Sequence, residues 1–280
     1  MQYILITGGN TGIGKATALA LANKEENKII IACRNEAKAK RAVEEIKAKT
    51  KNQEIHSLTC DLASFESIKF CAAAYRDQFG QLDILINNAG LVTDKLKFTK
   101  EGFEMQFGVN HLGHFLLTKN LIDLLEKAPT PRIVNVSSVA HYRGKLRFDS
   151  FKGELGAEKY KGMVAYGQSK LANILFTKEL AKRYPRICSH CLHPGVVGTE
   201  IGGKKDNKAW WSYIWKLMSP LLLSVEKGAK TSIYLATSPG VLKVNGKYYE
   251  KQKEKEPSAL ANDSELAKKL WEVSEELVSS

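Results

Sequence analysis

Tyr3-Ile4-Leu5-Ile6-Thr7-Gly8-Gly9-Asn10-Thr11-Gly12-Ile13-Gly14 opens the chain, and its reading decides the rest. A short apolar run of strand length meets a glycine-rich turn, and a helical stretch follows from Gly12 to about Ala22. Glycines let backbone N–H groups approach a pyrophosphate closely, and a helix N-terminus adds favourable partial charge. Such a turn is a weak signal alone and a stronger one between a strand and a helix. The glycines at Gly8, Gly12 and Gly14 are spaced Gly-xxx-Gly-x-Gly, not G-x-G-x-x-G. Gly8, Asn10, Thr11, Gly12, Ile13 and Gly14 are therefore candidate dinucleotide-binding residues.

Outward from this turn the pattern repeats. Ile29–Ala32, Ile55–Thr59, Asp83–Ile86, Ile133–Val136 and Ile187–Leu192 are further strand-like runs. Helical patterns cover about Glu36–Lys49, Ser64–Phe79, Glu101–Glu126 and Tyr166–Arg183. Short apolar runs alternating with amphipathic helices predict an α/β fold, a single doubly wound parallel sheet with helices on both faces. No composition break interrupts the chain, so one Rossmann-fold domain over residues 1–280 is expected. Two irregular stretches, His141–Val164 and the tryptophan-rich Gly202–Ser224, form its substrate-loop extension.

The end of the second strand discriminates between cofactors. A carboxylate there binds the ribose 2′-hydroxyl of NAD, whereas an arginine suits the 2′-phosphate of NADP. Ala32-Cys33-Arg34-Asn35 carries no acid, and Glu36 is expected to begin the next helix. NADP(H) is the expected cofactor, with Arg34, Asn35 and Lys38 around its phosphate.

The 280 residues include 42 Lys and Arg against 30 Asp and Glu, a net charge of +12. The basic residues are mixed with acids along the chain, which reads as a solvated surface, and no nucleic-acid partner is expected. With 44% hydrophobic and 26% charged residues, disordered and fibrous classes are excluded. Five cysteines, an odd number, follow an N-terminus without a secretory signal pattern, so a reducing, cytoplasmic setting is expected. Cys188-Ser189-His190-Cys191 with His193 resembles half of a zinc site, but a second ligand pair is missing and no metal is expected. His111 and His114, three apart, suit one helix face and read as structural.

Further motifs follow in order: Cys60-Asp61-Leu62, Asn87-Asn88-Ala89-Gly90, Val109-Asn110-His111-Leu112-Gly113, Asn135-Val136-Ser137-Ser138, Tyr166-Gly167-Gln168-Ser169-Lys170 and His193-Pro194-Gly195. Together with the glycine turn they resemble the short-chain dehydrogenase/reductase family across essentially the whole chain. Ala32-Cys33-Arg34, Ser137-Ser138-Val139-Ala140-His141 and Tyr166 through Phe176 are most similar to its retinol dehydrogenase-like group. Membrane members of that group carry an N-terminal hydrophobic anchor, whereas this sequence starts directly at its first strand. The similar light-dependent protochlorophyllide reductases carry a cysteine where this chain has Ala172.

The resemblance implies a catalytic set of Asn110, Ser138, Tyr166 and Lys170. Tyr166 and Lys170, spaced i and i+4, share a helix face. A free tyrosine titrates near ~10, and a neighbouring ammonium is expected to lower that value and ready the phenol for proton exchange. Ser138, rather than Ser137, would hydrogen-bond the substrate oxygen, and Asn110 would hold a water for proton relay to Lys170. By resemblance, Asp61 and Leu62 flank adenine, and Asn88, Ala89 and Gly90 line the ribose region. Pro194, Gly195, Val197 and Thr199 approach the nicotinamide, and Tyr166 and Lys170 also touch the cofactor. From the residues alone, Asp61 could instead cap the helix that follows.

The expected activity is NADP(H)-dependent interconversion of a small hydrophobic alcohol and its aldehyde or ketone. A nucleotide-binding sensor without turnover is the alternative. Trp210, Trp211, Trp215 and Leu221 to Leu223 suggest a hydrophobic substrate roof, and residues 209–225 also allow peripheral membrane contact. A homodimer or tetramer is the expected assembly, since family members commonly pair through the helices near Asn110 and Tyr166.

Overall fold

The computed structural model describes residues 1–154, 156–195, 197 and 223–279. Its centre is a sheet of eight described strands: β1 Tyr3–Thr7, β2 Lys28–Cys33, β3 Ile55–Thr59, β4 Ile84–Asn87, β5 Arg132–Val136, β6 Cys188–His193, β7 Lys247–Glu250 and β8 Lys253–Glu254. Their order is β3-β2-β1-β4-β5-β6-β7-β8. All neighbours are parallel except β7 and β8, which pair antiparallel. The chain runs outward from β1 to β3 and then returns to lay β4 on the other side of β1. That reversal opens a crevice at the carboxyl ends of β1 and β4, where ligands bind in open α/β sheets.

Among the described residues, seven helices of eleven residues or more carry the crossovers and the C-terminus: α1 Gly12–Ala22, α2 Glu36–Thr50, α3 Phe65–Phe79, α4 Gly113–Lys127, α5 Gly162–Arg183, α6 Val225–Thr237 and α7 Ser264–Ser279. Side chains alternate across the pleat. Ile4, Ile6, Ile29, Ile31, Ile84 and Ile86 face the layer that contains Leu21 of α1, Ile46 of α2 and Leu235 of α6. Leu5, Ile30, Leu85 and Ile133 face Ile68 of α3, Leu121 of α4, Leu175 of α5 and Leu270 of α7. Burial on both faces explains why these strands read as continuous apolar runs.

The helical stretch expected over Glu101–Glu126 is divided. The Glu104 carboxylate accepts from the Gln106 and Phe107 amides at 3.0 and 2.8 Å, starting a single turn at Met105–Phe107. A π-helical turn, Gly108–Leu112, then leads into α4. Gly113 sits so close to the Leu62 carbonyl that a Cβ there would lie 2.7 Å from its oxygen. His111 faces Ser274 of α7, and His114 faces Thr7 of β1. The tyrosine helix begins at Gly162, one turn before Tyr166, where a Cβ would lie 2.1 Å from the Thr93 carbonyl oxygen. β7 was not expected, because Lys247-Tyr248-Tyr249-Glu250 has no apolar run and buries only its two tyrosines.

All five cysteines are buried and free. Cys188 lies 3.2 Å from His190 Nε2, and among the described residues no group of three His, Cys, Asp or Glu is placed to hold a metal. None of the described helices is long and apolar enough to cross a membrane.

Trp271 joins α7 to the body. It lies edge-on to Phe115 at 4.9 Å and stacks on Phe176 at 5.8 Å, with the Arg183 guanidinium 4.8 Å from its ring centre. Trp271→Ala should therefore cost about 3–5 kcal/mol of unfolding free energy, measured by denaturant titration.

Candidate active site

The turn after β1 is built by close backbone approach. Gly8 and Gly12 have φ of +66° and +51°, a region that glycine enters without a Cβ clash. A Cβ on Gly14 would lie 2.3 Å from the Gly8 carbonyl oxygen and 2.5 Å from Asn88 Nδ2. Thr11 stands at the N-cap of α1 without a side-chain capping bond. The first-turn N–H groups around Gly12, Ile13 and Gly14 thus point at a cradle with no Cβ in its way. That donor set fits a pyrophosphate.

The remaining expected cofactor residues sit around this cradle. Arg34, Asn35 and Lys38 are exposed just beyond β2. The Asn35 side chain is engaged in capping α2, accepting from the Lys38 amide at 2.9 Å. Asp61 follows β3 and accepts from the Ala63 amide at 3.0 Å, while Ser64 is the N-cap of α3, so Asp61 does not cap that helix. Leu62 is buried beside it. Asn88 Nδ2 donates to the Thr7 carbonyl at 2.8 Å, which places Asn88, Ala89 and Gly90 beside the glycine turn. Pro194, Gly195 and Val197 follow β6, with Gly195 at φ +88° and Val197 bridged to Leu223. Thr199 lies outside the described residues, as do 209–222 of the segment considered for membrane contact.

The catalytic set converges at the end of β5. Ser137 and Ser138 leave the strand in opposite roles. The buried Ser137 hydroxyl donates to the Lys170 carbonyl at 2.6 Å. The Ser138 side chain is half-buried, accepts from the Ala140 amide at 3.3 Å and sits beside the Tyr166 phenol. His141, missed as a site residue, lies 2.7 Å through Nδ1 from the Ser138 carbonyl and accepts the Ser258 amide on Nε2 at 3.2 Å. It ties the serine to the C-terminal segment. Its place in Ser137-Ser138-Val139-Ala140-His141 was its only signal in the sequence.

Lys170 Nζ is buried, donates to the Val136 carbonyl at 3.0 Å and lies 5.6 Å from the Tyr166 ring centre. A Cβ on Gly90 would be 3.3 Å from that Nζ, so only glycine leaves its front open. Asn110 uses its whole side chain structurally. Oδ1 accepts from the Leu91 amide at 2.9 Å, and Nδ2 donates to the Leu91 carbonyl and to Ser169 Oγ, each at 3.0 Å. A water-holding role would therefore fall to its backbone carbonyl.

Burial dominates the electrostatics. It pushes the Lys170 ammonium down to about 8. It also raises the Tyr166 phenol above its ordinary range, against the opposing effect of the Ser138 hydrogen bond. The expected lowering of Tyr166 by Lys170 is not found, because the dry surroundings disfavour both charged forms more strongly than the pair favours them. The phenol is consequently a proton donor at neutral pH.

The short chain dehydrogenase family matches residues 2–210. Human retinol dehydrogenase 13 is 43% identical over 282 aligned positions, covering 99% of this chain and 84% of the relative. An uncharacterized protein from Mycobacterium paratuberculosis superposes with a TM-score of 0.79 at 29% identity, covering 100% of this chain and 94% of that one. A short chain dehydrogenase from Shigella flexneri 2a str. 301, complexed with NADP, shares the fold with a TM-score of 0.67 at 22% identity, covering 90% of this chain and 97% of that one.

The two serines can be separated by substitution. Ser137→Ala removes a buried hydrogen bond to a helix carbonyl and should lower stability by about 0.5–1.5 kcal/mol in thermal or denaturant unfolding. Ser138→Ala gives up only a long capping bond from the Ala140 amide, so it should cost about 0.5 kcal/mol and depress turnover chiefly.

Proposed function

The chain belongs to the short chain dehydrogenase family, and on that premise we propose that it reduces a hydrophobic aldehyde or ketone with NADPH, and oxidises the alcohol in reverse. Membership makes it an NAD(P)-dependent oxidoreductase acting on CH–OH groups. The finer reading is carried by one observation, the convergence of Ser138, Tyr166 and Lys170 beside the glycine cradle.

When bound, the nicotinamide cofactor supplies hydride. Tyr166 Oη donates the proton to the carbonyl oxygen, and Ser138 Oγ orients that oxygen. A phenol kept protonated by its surroundings suits reduction, since the acid is loaded at neutral pH. Lys170 Nζ, anchored on β5 and open toward Gly90, would hold the nicotinamide ribose and replenish the phenol through it. The Asn110 carbonyl would hold the water that supplies Lys170. Arg34 supports NADP(H) over NAD(H), as an exposed cation at the end of β2 where no acid competes. Val139 and Tyr142 beside Ser138, and Met163 and Val164 just before Tyr166, are exposed apolar side chains, which favours a hydrophobic substrate. The name of the human relative, a retinol dehydrogenase, points the same way.

The test follows nicotinamide absorbance with retinal and simple aromatic aldehydes, with NADPH and NADH run in parallel. NADPH-selective turnover is expected, and Tyr166→Phe should lower kcat by at least about 100-fold. Arg34→Ala should raise the KM for NADPH about 10-fold with little change for NADH. Binding of neither cofactor would overturn the reading of the glycine turn. The pH profile adds a sign. Lys170 is charged below about 8 and neutral above it, so kcat/KM for reduction should be level at lower pH and fall as pH rises through that value.

A further inference from the structure

His114 is buried, with 2% of its surface exposed, and has no part in the scheme above. Its ring bridges two parts of the site. Nε2 lies 2.9 Å from Thr7 Oγ1, and Nδ1 lies 3.1 Å from the Asn110 carbonyl oxygen. The proton positions follow from the partners. Thr7 Oγ1 already accepts the Asn88 and Ala89 amides, at 2.9 and 3.0 Å. Both its lone pairs are engaged, so its hydrogen must go outward, and His114 Nε2 is nearer than the Ile86 carbonyl at 3.4 Å. Nε2 is then the acceptor, and Nδ1 carries the hydrogen and donates to Asn110. The other tautomer would set a ring lone pair against the carbonyl oxygen.

The two ends of this bridge do different work. Thr7 orders the Asn88–Ala89 amides beside the glycine cradle. Asn110 belongs to the π-helical turn, and its side chain holds Leu91 and Ser169. Lys170 and His111 are the charged or titratable groups that bear on the ring, and burial keeps it neutral, pushed down to about 4.

We propose that His114 is a positioning residue with separable arms: Nδ1 sets the Asn110 carbonyl for the proton path, and Nε2 sets Thr7 and the cofactor loop. The inference rests on the proposed reductase reading for its first arm alone.

The experiment compares three variants. His114→Asn places an amide donor near the Nδ1 position, and His114→Gln places an amide near Nε2. His114→Leu removes both arms and keeps an apolar filling. NADPH affinity is read by fluorescence titration, turnover by absorbance, and stability by thermal unfolding without cofactor. His114→Asn should retain kcat within a few-fold and bind NADPH roughly 10-fold more weakly. His114→Gln should retain NADPH affinity and lose roughly 10- to 100-fold in kcat. His114→Leu should show both losses. Equal losses in all three that track their melting temperatures would overturn the proposal and leave His114 a packing residue. The affinity arm is read without turnover. Wild-type NADPH binding without turnover of any carbonyl would thus overturn the reductase reading, while the contrast in affinity between His114→Asn and His114→Gln would still decide the bridge.

Discussion

The carboxyl ends of β1, β4 and β5 lie side by side in a dry interior, and every polar group there needs a partner inside the protein. The chain answers with sets of hydrogen bonds that leave Asn87 Oδ1 as an exception among the described residues. Thr7 accepts two amides from the loop after β4. Asn87 donates to Thr118 of α4 and to Asn135 of β5, and Asn135 donates to Thr177 of α5. The last carbonyl of β5, on Val136, takes both Lys170 Nζ and Asn173 Nδ2, at 3.0 and 3.1 Å. The site is thus an extension of the pairing that closes the sheet. Its side chains are held where the fold needs donors.

This origin explains the division of labour between adjacent residues. Ser137 is inside the pairing and Ser138 is just outside it. Asn110 spends its amide on Leu91 and Ser169, and its backbone carbonyl faces the His114 ring. Lys170 satisfies a strand carbonyl with one proton and keeps the rest of its ammonium toward Gly90. Glycine is required where two backbones touch, as at Gly14 against Gly8, and such contacts tie the cofactor cradle rigidly to the strand that carries it.

The same dryness sets the chemistry. In water, Tyr166 and Lys170 would be a phenol and an ammonium with a large gap between them. Burial raises the first and lowers the second, but both remain mainly in their proton-bearing forms at neutral pH. A proton donor backed by a second proton-bearing group suits an acid-catalysed hydride addition. Val139 and Tyr142, close to Ser138 in the chain, and Met163 and Val164, just before Tyr166, are exposed apolar side chains.

Much of this was legible in the sequence. The central strands β1, β2, β4 and β5 announced themselves as apolar runs because both their faces are buried, β3 and β6 were legible as mixed strand-like runs, and α1 to α5 showed themselves through their periodicity. The glycine turn and the ordered motifs located the cradle, Ser138, Tyr166 and Lys170. Other features depended on neighbours distant in the chain. β7 exists because β6 offers it an edge, although its own residues carry no strand-like apolar run. The π-helical turn lies just before the close approach of Gly113 to Leu62, and His111 and His114 have different partners. The protonation of Tyr166 was misjudged because spacing along a helix reports a neighbouring charge but not the water withdrawn from it. Residue types and their order determined the fold and the chemistry available to this protein. Only the tertiary structure decided which of those groups are dry, which hydrogen bonds they have left, and hence which can act.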